Sequence, residues 1–77
     1  MTQLDQKASK SLATEIEGRI TALEGDPIIV ARLRELGFIR GEAVRVTGRA
    51  PFGEPILVAI RGTTIALRKT EATCVKL

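Results

Sequence analysis

The chain has 77 residues, with 12 Lys or Arg, nine Asp or Glu, one cysteine and no histidine. That length makes one small domain, whose single core supplies roughly 3–5 kcal/mol and leaves little room for a deep cleft, and the missing histidine takes away the usual zinc, haem and Ser-His-Asp or Cys-His residue sets. The first 38 residues carry five Lys or Arg against six Asp or Glu, net −1, and the rest carry seven against three, net +4, so the basic half suits an acidic partner surface, nucleic acid or an anionic membrane face.

Residues 1–14 are polar, rich in Lys, Ser and Gln, and show no sustained period; they read as a flexible N-terminal segment ahead of a domain over 15–77. They hold no apolar h-region, which predicts a cytoplasmic chain. No stretch of the sequence approaches the roughly 20 apolar residues of a membrane span. In EGRITAL, Ile20 and Ala22 alternate with Arg19 and Thr21, which predicts a first strand ended by Gly25. GDPIIVARLRELGF then predicts a short helix. Asp26 is placed to cap it, Pro27 stands where its missing N–H costs nothing, and Ile29, Leu33 and Leu36 share a face. Gly37 suits the left-handed position of a Schellman ending that folds Phe38 back toward Leu33.

Strand-like runs follow in quick succession. GEAVRVTGR points Val44 and Val46 inward and Arg45 and Thr47 outward. PILVAI is continuously apolar, as in a strand covered on both faces, and GTTIALR follows across an Arg61-Gly62 corner. TCVKL makes a last strand after a turn at 69–71. About five short strands, with one small helix between the first and second, predict an all-β, half-open antiparallel barrel.

Three linked elements in this order, R-L-x-E-L-G-F, R-A-P-F-G-E-P and I-A-L-R-K, resemble the FeoA domain, and the resemblance runs from about Gly18 to Leu77. The chain departs from the family pattern in three places. It has Arg40-Gly41 where members have Pro-Gly, Gly53-Glu54-Pro55 where they have Gly-Asp-Pro, and Glu15 to Gly18 in place of an early Pro-Gly. The first two changes keep the residues that set the backbone. The resemblance implies an SH3-like barrel and a cytoplasmic, non-enzymatic accessory of the Feo ferrous-iron uptake system, acting by direct binding to the membrane permease FeoB through its G-protein region. Any link to the membrane is then expected through that partner, and so is the link to iron, because a lone thiolate holds metal poorly without companions. A related domain ends some iron-dependent repressors, so a stand-alone relative of that domain is an alternative.

The residues expected to meet a partner are Arg49, Pro51, Phe52, Glu54, Arg61, Arg68 and Lys69. In RAPFGEP the prolines and Gly53 set the backbone, and Phe52 either closes an open barrel end or projects as a pre-ordered anchor with little entropy left to lose. The expectation is partial exposure. Arg61, Arg68 and Lys69 are either ordinary solvated charges or, clustered with Arg49, an electropositive patch. Cys74 lies in an alternating β run and reads as a buried structural thiol. Scattered carboxylates without EF-hand spacing give no metal site or cofactor. An unpaired strand edge offers weak self-association or strand addition. A nucleic-acid-binding barrel is the other alternative, but Phe38 and Phe52 are the only aromatics available for stacking.

Overall fold

The computed structural model describes residues 10–77, and helix α1 (Pro27–Glu35) shows most directly how local sequence sets its backbone. A carboxylate oxygen of Asp26 accepts the Ile28 N–H at 2.8 Å, and Pro27 occupies the first turn. At the other end the Gly37 N–H reaches Arg34 O and the Phe38 N–H reaches Leu33 O, both at 3.0 Å. Those two bonds, with Gly37 at φ +106°, are a Schellman ending. The inward face differs from the expected one. Val30 and Leu33 are buried and Ile29 half-buried, whereas Leu36 is exposed and Ile28 is 80% exposed. The Schellman turn brings Phe38 into the core in place of Leu36.

Strands β1 (Glu17–Arg19), β3 (Ala43–Arg49), β4 (Ile56–Ile60) and β5 (Thr63–Leu67) form an antiparallel sheet in the order β1-β3-β4-β5. Arg61 and Gly62, at φ +52° and +78°, make the two-residue turn that joins β4 to β5, as the sequence predicts. The PILVAI run is covered on one face only. Ile56, Val58 and Ile60 are buried, but Leu57 between them is 38% exposed. A run can be apolar throughout and still alternate, because Leu57 and Ala59 lie on the outer face, which no second layer of described residues covers. In β3 an extra residue, Thr47, interrupts the pairing with β4 between Val46 and Gly48.

The predicted first strand is two. β1 belongs to the large sheet, while β2 (Ala22–Leu23) pairs with β6 (Val75–Lys76) in a second sheet. Ile20 lies at the bend between them, buried, and exchanges backbone bonds with the chain entering β3: its N–H reaches Glu42 O at 2.9 Å and its O accepts from Gly41 at 2.8 Å. Gly25 follows, at φ +143°, and a Cβ there would stand 2.6 Å from the Cys74 sulfur. Cys74 is the buried thiol the sequence suggests. The predicted turn at 69–71 is instead the start of a five-residue helix, α2 (Lys69–Thr73), which shortens the final strand to two residues. There are thus six strands and two helices among the described residues, and the helix expected between the first and second strands lies between the second and third.

The expectation of a loose segment over 1–14 fails at its C-terminal end. Leu12 donates to Val75 O at 3.1 Å, Leu77 donates to Lys10 O at 3.3 Å, and Ser11 bridges Lys76. Residues 10–12 therefore line one side of β6 while β2 lines the other, and Leu12 is fully buried in the core. Leu12 stands in a polar stretch with no sustained period, so its burial was invisible in the sequence. Residues 1–9 lie outside the described residues.

Glu71 joins the two helices. Its Oε1 accepts the Arg68 N–H at 2.8 Å, and its Oε2 pairs with Arg32 Nη1 from α1. Burial pushes its carboxyl up, but the Arg68 N–H bond and the Arg32 guanidinium outweigh that and hold it below the ordinary value of 4.5. A carboxyl whose pKa falls on folding contributes stability that is complete above its unfolded value and is lost as pH drops through the folded one.

Two measurements check these contacts. In urea titrations Leu12→Ala costs about 2–4 kcal/mol, most of what a domain this size has; an unchanged midpoint would place Leu12 outside the core. Glu71→Gln costs about 1–3 kcal/mol at pH 7, tempered by the half-exposed arginine. Its deficit against the wild type narrows as the pH is lowered from 7 to below 4, and a deficit that stayed constant across that range would exclude the ionised carboxylate as the source.

Candidate functional site

The loop between β3 and β4 stands at one end of the large sheet, and its shape follows from two backbone bonds. The Ala50 N–H reaches Pro55 O at 3.1 Å, closing the loop at its base, and the Gly53 N–H reaches Ala50 O at 2.8 Å, forming a turn within it. Gly53 is at φ +90° with nothing within 4 Å of where its Cβ would lie. Glycine is needed here for the backbone angle alone. Proline at 51 and 55 fixes φ on both sides of the turn.

Phe52 sits at the tip and is 98% exposed. It does not close the barrel end, and it stands further out than the partial exposure expected of it. Such exposure keeps a large apolar side chain in water without packing return. Pro51 beside it is exposed as well.

Glu54, expected at a partner contact, also has a contact within the fold. Its Oε2 accepts the Lys69 N–H at 2.9 Å, so this carboxylate ties the loop to the first turn of α2, where unpaired backbone N–H groups need an acceptor. Glu54, Pro55 and Arg68 line a shallow groove between loop and helix.

Register decides which of the basic residues meet. Arg49 pairs with Ile56, and Ile56 with Leu67, so Arg49, the loop, Arg68 and Lys69 share one end of the sheet. All three basic side chains are exposed. The Thr47 bulge also changes the side from which Arg49 leaves. Paired residues share a face, so Arg49 departs from the same face as Ile56, at the rim of the core side, whereas strict alternation from Arg45 would have sent it outward. Gly48, an isolated glycine inside the strand run, is the sequence sign of such a bulge. Arg61 is elsewhere. It stands in the turn at the far end of β4, roughly 17 Å away along the strand, with Glu42 Oε2 at 3.9 Å. The expected patch therefore divides: six of its seven residues gather at one end and Arg61 does not join them.

That end carries an exposed aromatic tip, two prolines and three cations. Among the described residues, no three His, Cys, Asp or Glu side chains come close enough to hold a metal ion, and no helix is long and apolar enough to cross a membrane. What this end presents to solvent is one large apolar side chain with a positive rim.

Comparison with known proteins gives a consistent picture. The family model of the FeoA domain matches residues 10–77. A zinc-complexed FeoA of Stenotrophomonas maltophilia, described as a prokaryotic SH3 domain protein, is 36% identical, with a TM-score of 0.70 over 84% of this chain and 85% of that one. An iron(II) transport protein A from Clostridium thermocellum is 32% identical, with a TM-score of 0.78 over 86% of this chain and 43% of that one. A FeoA-like protein from Clostridium acetobutylicum is 25% identical, with a TM-score of 0.78 over 86% and 80% of the two chains. No match is found among curated protein sequences. The two small sheets make an SH3-like barrel, and the chain belongs to the FeoA domain family.

Proposed function

We propose that this protein is a non-enzymatic cytoplasmic accessory of ferrous-iron uptake that binds the cytoplasmic G-protein region of the FeoB permease through the end of the barrel bearing Phe52. The exposure of Phe52, 98%, carries the reading. A domain with only a few kcal/mol of stability gains nothing from an aromatic held in water, whereas a partner pocket gains an anchor already fixed by Gly53 and the flanking prolines. Arg49, Arg68 and Lys69 around it suit an acidic surface and speed association more than they tighten it. Pro51 contributes stiffness, Glu54 holds the loop against α2, and Arg61 lies outside this contact. Nucleic acid is the weaker reading, because Phe38 is fully buried and one projecting aromatic makes no stacking platform.

The test is binding of the labelled protein to the isolated G domain of FeoB and to the intact permease. Phe52→Ala weakens binding at least tenfold, about 1.4 kcal/mol, while leaving the urea midpoint within about 0.5 kcal/mol, since the ring packs against nothing. Raising salt from 50 to 300 mM slows association. Wild-type affinity in the Phe52 variant would exclude the loop as the anchor, and no binding of the folded wild type to either target would remove FeoB as the partner.

A further inference from the structure

The strand β5 is an outer strand of its sheet. Arg61–Gly62 is a two-residue turn, so Ile60 and Thr63 form a hydrogen-bonded pair, and such pairs recur at Val58–Ile65 and Ile56–Leu67. The N–H and C=O groups of Thr64 and Ala66 therefore point away from β4, and among the described residues no other backbone group bonds them. Natural edge strands are guarded by an inward charge, a proline, a bulge or extreme shortness. The five residues Thr-Thr-Ile-Ala-Leu of β5 have no charge and no proline, and their pairing with β4 runs without a bulge. Beside them on the outer face lies Leu57, also exposed. An unguarded edge of this kind is a template for another strand.

Charge decides what that strand is. If a second copy paired antiparallel about Ile65, Arg61 of each molecule would face Arg68 and Lys69 of the other. Like charges placed opposite each other destabilise such a pair. Arg61 carries only a loose Glu42 contact at 3.9 Å, and the Glu54 carboxylate near Lys69 is engaged with that residue's backbone N–H. Both ends of the edge are thus positive and its middle is neutral. We propose that the β5 edge binds, by strand addition, an extended segment of a partner protein in which small or β-branched residues are flanked at both ends by acidic residues about seven positions apart, roughly 20 Å in an extended chain. The backbone groups of Thr64 and Ala66 supply the ladder, and Arg61 and Arg68 with Lys69 read the acidic ends. This surface does not depend on Phe52.

The probe is an acetylated, amidated nonapeptide, Asp-Glu-Val-Thr-Val-Thr-Val-Glu-Asp, added to nitrogen-15-labelled full chain at 50 mM salt. Resonance shifts and slowed amide exchange centre on Thr64 and Ala66, and the same peptide with lysines replacing its acidic residues binds at least tenfold more weakly. Ala66→Pro removes an outward N–H, which an edge strand tolerates, and binding is lost with the rest of the spectrum intact. Arg61→Asn combined with Arg68→Gln keeps the backbone, since asparagine accepts positive φ, and weakens the acidic peptide about tenfold. Phe52→Ala changes nothing here, which separates this outcome from that of FeoB docking. Shifts centred elsewhere, equal binding of the lysine peptide, undiminished binding to the Arg61/Arg68 double variant, or protection of Thr64 and Ala66 by self-association without peptide would each overturn the proposal.

Discussion

The register of β4 is the constraint on which the structure turns. Ile56, Val58 and Ile60 all face inward, and all are buried. A slip of one residue would put Leu57 and Ala59 in their place and expose three branched side chains. The Arg61–Gly62 turn prevents it, because two residues at positive φ fix which residues of β4 and β5 lie opposite. The same register places the loop carrying Phe52 at one end of the sheet and the Arg61 turn at the other, and it turns the backbone of Thr64 and Ala66 outward. The positions of both proposed contact surfaces are consequences of one pairing.

Around that strand the protein assembles a core with little to spare. β6 has two residues, too few to hold a place alone, and it is held from both sides by β2 and by residues 10–12. Leu12 enters the core as part of that contact, and the match of the family model from residue 10 agrees with it. Glu71 works on the same principle at the helices, satisfying the Arg68 N–H with one oxygen and Arg32 with the other. Small domains of this kind depend on each such contact because no large core backs them up.

The loop shows how rigidity and exposure coexist. Its tip is free of packing, yet bonds from Ala50, Gly53 and Lys69 fix its path. Glu54 ties the loop to the first turn of α2 while its side chain stays exposed. Arg49 was legible as a basic residue near the loop, but the face it leaves from depends on Thr47, an inserted residue that pairing with β4 defines. Arg61 was grouped with the others because it lies in a turn, and turns look alike in a sequence whichever end of the sheet they occupy.

What the residues dictated by themselves was local. Asp26-Pro27 started a helix, Gly37 ended it, Gly62 and its neighbour turned a hairpin, and the three FeoA-like motifs pointed to the family. Each depends on backbone angles or spacings within a few residues, which short-range sterics and hydrogen bonding decide. The tertiary structure alone decided that EGRITAL divides between two sheets, that Leu12 is core, that β4 has a wet face, and that Arg61 stands apart from Arg49. Those outcomes depend on which distant segment arrives opposite, and a hydrophobic pattern reports that a residue is apolar without saying what covers it.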